Sequence, residues 1–157
     1  MTLGGPRPVG AALWPGRRRR AKVAAAQQNE HSMTFFGHLH AWLAYAGLVA
    51  TLGWAAAILF GAGDVARFGA MYRRVYLAMA VLVGLSALAG LVATVIGPWW
   101  RMAFPWIGLA AIALHNILGA RSRRALWAMR TGPVLVLALV QVVVLVLATG
   151  LMAVRPF

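Results

Sequence analysis

His38 and His40 stand two residues apart in one apolar stretch, and His115, followed by Asn116, lies in another. An imidazole ligates metals and haem iron and carries protons near neutral pH. Two residues apart on a helix, side chains point about 200° apart, so His38 and His40 cannot share a metal ion. Below His40 one helical stripe reads Ala44, Gly47 and Thr51, all small; below His38 it reads Trp42 and Tyr45. Small residues suit a helix contact and large aromatics suit lipid or its interface, so the sequence turns His40 inward and makes it the candidate metal ligand. His115 reads either as a cofactor ligand or as a hydrogen bond between helices, since an ionisable group within a span is costly. His40 and His115 cannot serve one iron. Each is expected ~6 Å inside opposite faces of a ~30 Å core, roughly 18 Å apart along the normal, where axial ligands need about 4 Å. Arg73, Arg74, Arg121 and Arg124 offer planar forks that match carboxylates. Gln141 falls near the middle of the last apolar stretch, where its amide requires a partner, a backbone carbonyl or Thr51.

The absence of cysteine excludes disulfides, thiolate metal sites and cysteine nucleophiles. The two acidic residues, Glu30 and Asp64, fall outside the apolar stretches. That argues against a carboxylate proton relay, a pump or a cation channel.

These residues need elements to hold them, and 62% apolar with 11% charged residues is a composition for lipid. Four apolar stretches, Phe36 to Phe60, Val75 to Ile96, Met102 to Leu118 and Pro133 to Val154, are each near the ~20 residues that cross a bilayer. Short connections between them predict an all-α integral membrane four-helix bundle, up-down in topology. Gly53, Ala57 and Gly61, and then Ser86, Gly90 and Thr94, repeat small residues at every fourth position, where helix backbones approach closely.

Residues 1 to 32 differ in kind. The run Arg17 to Arg20, Lys22 and Gln27-Gln28-Asn29-Glu30 read as a disordered basic arm without a secretory apolar core. Met33, at the head of the first stretch, is an alternative start, making 33 to 157 the transmembrane domain. The net charge of +13 is carried by the arm and by the loops between apolar stretches. It therefore implies no nucleic acid; the expected partners are the lipid bilayer and a homo-oligomer or larger membrane complex.

Counted from Met33, seven arginines in the loops after helices one and three face only Arg101 and Arg155 on the other side. The expectation is a multi-pass protein of the inner (cytoplasmic) membrane with both arginine-rich loops cytoplasmic. With the arm included the count is eight against seven and orientation is open. Trp99, Trp100 and Trp106 at one face, and Tyr72 and Tyr76 at the other, are expected in interfacial aromatic belts.

The order of features resembles the HemJ-type membrane protoporphyrinogen oxidases and the CopD-like copper resistance domains. The likeness rests on the early His38 or His40, on Arg73-Arg74-Val75-Tyr76 with Gly90-Leu91 later, and on Leu114-His115-Asn116 before Arg121-Ser122-Arg123-Arg124. Pro133 and the ending Val154-Arg155-Pro156-Phe157 complete it. The resemblance implies a four-helix membrane fold, and three functions are expected. The first, resting on the small-residue faces and not on the resemblance, is a non-catalytic membrane subunit or helper that packs against a larger complex. The second is a haem- or porphyrin-linked oxidoreductase in which His40 or His115 meets haem b and Arg73, Arg74, Arg121 and Arg124 receive propionates. The third is a copper-handling module using Met71 and Met79 with the histidines.

Overall fold

A computed structural model describes residues 15–61 and 65–154. It is all-helical: α1 (Pro15–Gly61), α2 (Val65–Ile96), a 3₁₀ turn (Pro98–Arg101), α3 (Ala103–Trp127) and α4 (Thr131–Val154). All four α-helices are long and apolar enough to cross a membrane. The chain is thus a multi-pass membrane protein with an up-down bundle of four helices. Helix is the state lipid enforces, because no water is present to satisfy a free N–H or C=O. That rule overrides local preference in α4, whose Val142-Val143-Val144 run would favour strand in water.

The chain divides into two compact units, Met1–Ser32 and Met33–Phe157. In the first, the described residues from Pro15 are helical and the side chains of 19 to 31 are exposed. Arginine, lysine, alanine and glutamine, which make up much of this stretch, are good helix formers. Residues 1 to 14, Asp64 and the ending Arg155-Pro156-Phe157 lie outside the described residues.

In the second unit the helices outrun the apolar stretches at the arginine-rich end. α2 begins at Val65 in place of Val75, and α3 continues past Leu118 to Trp127. Charge ends an apolar stretch without ending a helix, since arginine costs a helix almost nothing. Pro105 and Pro133 fall in the first turns of α3 and α4, where a missing N–H is harmless. α3 closes on a Schellman motif, with Arg130 N–H on Ala125 O and Met129 N–H on Leu126 O, both 3.0 Å. Met129 takes the left-handed position at φ 56°.

Packing differs between the two ends of the bundle. At the arginine end Trp54, Ile58, Tyr72, Met79, Leu126, Val134 and Ala138 form one tight core. Trp54 meets Tyr72 edge-on at 6.4 Å and Tyr76 at 5.4 Å, and its indole N–H donates to Ser122 Oγ at 3.2 Å. Tyr72, expected at the interface, is instead 1% exposed, tucked beneath Gly61, where any Cβ would strike its hydroxyl. At the other end the core thins to Val83, Ile112 and Leu145.

Candidate functional site

Where the core thins, a cavity of about 420 Å³ opens between the four helices. Small residues of α1 and α2 make one side, among them Ala41, Ala44, Ala87 and Gly90. Trp99, Phe104, Pro105 and Trp106 of the 3₁₀ turn and early α3 close the end, and Leu145, Ala148 and Thr149 come from α4. The aromatic residues are held there by the tight link between α2 and α3. Gly97 N–H donates to Ala93 O at 3.0 Å, and a Cβ at Gly97 would meet the Trp99 ring at 2.5 Å. Trp99 packs edge-on to Phe104 at 5.9 Å, and Trp106 N–H donates to Trp100 O at 3.0 Å.

His40 lines this cavity and His38 is exposed, as the stripe of small residues predicts. His40 Nδ1–H donates to the Ser86 carbonyl oxygen at 2.7 Å. Ser86 Oγ lies 3.2 Å from the same nitrogen, and its own proton reaches His40 O at 3.4 Å. This reciprocal pair locks α1 to α2 and fixes the tautomer, making Nε2 the ring's basic nitrogen. It forms only because α2 offers Gly90 at that level, where a Cβ would stand 2.8 Å from the imidazole. The Ser86, Gly90, Thr94 ridge is therefore spent inside the bundle. Gly53 of the α1 ridge is exposed, with nothing within 4 Å of an added Cβ.

A second polar group sits deeper, walled off from the cavity. His115 is 0% exposed, as are Thr51 and Gln141, and the three meet across α1, α3 and α4. His115 Nε2 is 3.2 Å from Thr51 Oγ1 and 3.2 Å from Gln141 Nε2, and the same amide donates to Met79 Sδ at 3.2 Å. Thr51 sends its proton back to Gly47 O at 2.8 Å. The ring nitrogen is thus asked to donate to Thr51 and to accept from Gln141 at once. Either Thr51 turns its proton to His115 or the Gln141 amide is reversed. His115 Nδ1 and Gln141 Oε1 are buried without a hydrogen-bond partner.

The sequence placed His115 a turn inside the end of its helix; α3 runs on to Trp127, so His115 falls at the helix's middle. Thr51, its partner, is eleven residues along α1 from His40, about 16 Å by helical rise, and the two histidines remain too far apart for one iron. Gln141 was expected to need a carbonyl or Thr51; His115 stands between Gln141 and Thr51.

The arginines are not gathered around His40. Arg73, Arg74, Arg121 and Arg124 are exposed at the opposite end, thirteen residues of α2 separating Ser86 from Arg73, about 20 Å. Arg73 and Arg123, with Trp54, Tyr72 and Trp127, border a shallow recess there, and Arg123 lies over the Tyr76 ring at 4.9 Å. Met71 is 40% exposed and Met79 1%, and no group of three histidines or acids stands together among the described residues. Sequence reasoning missed Met79 as a polar-cluster partner and Trp54 as the keystone of the tight core. Continuing the His40 stripe through Thr51 to Trp54 and Ile58 would have found the latter. No protein-family model, curated protein or solved structure matches this chain.

Proposed function

We propose that this chain is a non-catalytic membrane subunit or helper whose bundle binds an apolar small molecule in the cavity beside His40. The observation that carries this reading is the cavity: about 420 Å³, within the range of small-molecule sites, walled by alanine, glycine and aromatic rings, with few polar groups. His40, Thr94 and Thr149 in it are anchored to backbone, and no acid lines it among the described residues, so it has the means to hold and orient and little means to move protons. Its resemblance to the HemJ-type and CopD-like group stays a proposal about architecture, supported by the inward His40 on the first span.

The anchored His40 Nδ1 favours haem b as a second reading, since haem- and metal-bound imidazoles are held this way. The rest of the donor set fits poorly. The HemJ-type pattern sets a lysine in helix three, and the only lysine here is Lys22. Arg101, the nearest cation, is exposed and stacked over Trp100 at 4.7 Å. Among the described residues, propionates would find no cation lining the cavity, and the copper reading has no ligand cluster to stand on.

The test is extraction of the detergent-purified chain and mass spectrometry of what co-purifies, beside an Ala44→Phe variant that fills the cavity. An apolar molecule in the wild type and its loss in the variant are expected. Identical extracts from both would remove the reading, and a haem absorption band abolished by His40→Ala would install the second one. We further propose an inner-membrane location with both arginine-rich loops cytoplasmic. A cysteine beside Arg123 should then be labelled from the cytoplasm only, and labelling from outside reverses the orientation.

A further inference from the structure

The recess at the arginine end, of about 330 Å³, is lined by Trp54, Tyr72, Arg73, Arg123 and Trp127 and shares no lining residue with the cavity beside His40. Its walls are fixed from beneath. Trp54 is 0% exposed and meets the Tyr76 ring at 5.4 Å, and Tyr76 in turn carries the Arg123 guanidinium over its face at 4.9 Å. Stacking engages the face of a guanidinium and leaves its N–H donors around the edge, so the ring positions this cation without using its hydrogen bonds. Trp127 seats its ring tip against α2 at Gly69, where a Cβ would stand 3.3 Å from it. Arg73 and Arg123 thus reach one space from two helices, and no acid lines it among the described residues. The loops after helices one and three hold seven arginines and one acid, Asp64.

Depth decides which anion suits this space. Arg73 stands two residues before the apolar stretch of α2 and Arg123 five residues after that of α3, about 3 and 8 Å by helical rise. The headgroup layer on each side of a bilayer spans about the same 5–8 Å. Below Arg73 the α2 stripe continues into the apolar span as Leu77, Val81 and Leu85, which are 59%, 48% and 46% exposed.

We infer that this recess binds the phosphate of an anionic phospholipid, whose acyl chain lies along the Leu77, Val81, Leu85 stripe. Two guanidinium forks match phosphate oxygens, and a basic recess between membrane helices is a headgroup site by its charge. A zwitterionic lipid brings a cation of its own to the same arginines. A free phosphate has nothing to lay against the stripe. The chain joins α2 to α3 only at the far end, through the 3₁₀ turn. The lipid therefore clips the two helices together at the end where no loop does.

Native mass spectrometry of the full chain in detergent tests this at about 0.15 M salt, where charges beyond about 8 Å are screened. The probes are dioleoylphosphatidylglycerol, dioleoylphosphatidylcholine and inorganic phosphate. The first phosphatidylglycerol should bind at least about tenfold tighter than phosphatidylcholine. Arg73→Gln with Arg123→Gln should abolish that preference. Arg74→Gln with Arg124→Gln, which removes the same charge from the same end outside the recess, should preserve it. All four arginines are exposed, and helical ellipticity checks the fold of each variant. Equal losses from the two pairs overturn the site and leave only a general surface charge. Equal binding of phosphatidylcholine overturns the selection by charge. Inorganic phosphate that displaces the lipid at equal concentration overturns the lipid assignment, because the apolar stripe then contributes nothing.

Discussion

At the level of single residues, the frustrated trio of Thr51, His115 and Gln141 is the sharpest feature of the bundle. Two of its polar atoms are buried without partners, and each such atom costs about 1–3 kcal/mol of desolvation. Interhelical hydrogen bonds in membranes recover only about 0.6 kcal/mol on average. A double-mutant cycle should expose the imbalance. His115→Leu alone leaves the Gln141 amide with Met79 Sδ in place of the imidazole, and Gln141→Leu alone leaves the imidazole with Thr51, each lowering stability by about 1–2 kcal/mol. The double variant should cost clearly less than the sum, because no polar group then remains unpaired. Unfolding by SDS titration with helical ellipticity as the signal measures this, and strict additivity would show that the three residues do not act together. The sequence announced that His115 and Gln141 each needed a partner. It could not announce that they need each other, because pairing across α3 and α4 depends on rotations of both helices that no local pattern fixes.

Helix by helix, what was legible was existence and what was not was extent. Four spans follow from apolar length alone, since lipid permits little else. Their ends did not follow, because the reading equated the end of hydrophobicity with the end of helix; α2 and α3 carry Arg73, Arg74, Arg121 and Arg124 on regular helix that continues beyond the apolar stretch. The facing of α1 was legible from the small stripe below His40. The cavity was not, since it is made by what the 3₁₀ turn and α4 leave empty. Contact between α1 and α2 hinges on Gly90, and Gly90→Ala, whose Cβ would stand 2.8 Å from Nδ1 and 2.9 Å from Cε1 of His40, should lower stability by about 1–3 kcal/mol as overpacking does. Gly53→Ala is the matched control, with open space around its Cβ. It should be neutral or slightly stabilising, since alanine is the better helix former. Thermal unfolding of both in one detergent decides; equal effects would mean that α1 and α2 do not meet at Gly90.

Taken whole, the second unit is dense at one end and hollow at the other. Trp54, Tyr72 and Ile58 fill the space at the arginine end to 0–1% exposure, while at the far end Val83, Ile112 and Leu145 line a cavity of about 420 Å³. Void volume is what a folded protein surrenders under compression, and volume changes on unfolding scale with it, typically by tens of mL/mol. Hydrostatic pressure should therefore act on this molecule unevenly. Trp99 and Trp106 report on the hollow end and Trp54 on the dense one, so single-tryptophan variants followed by fluorescence should show the hollow end yielding at lower pressure. Ala44→Phe should raise that threshold toward the value for Trp54, and so should a ligand seated in the cavity. Coincident transitions at both ends would mean that the bundle compresses as one body. For a protein in a membrane, lateral pressure in the bilayer is the everyday form of the same variable. Occupancy of the cavity then becomes a mechanical property of the bundle, an empty chain being the softer one and a loaded chain the stiffer.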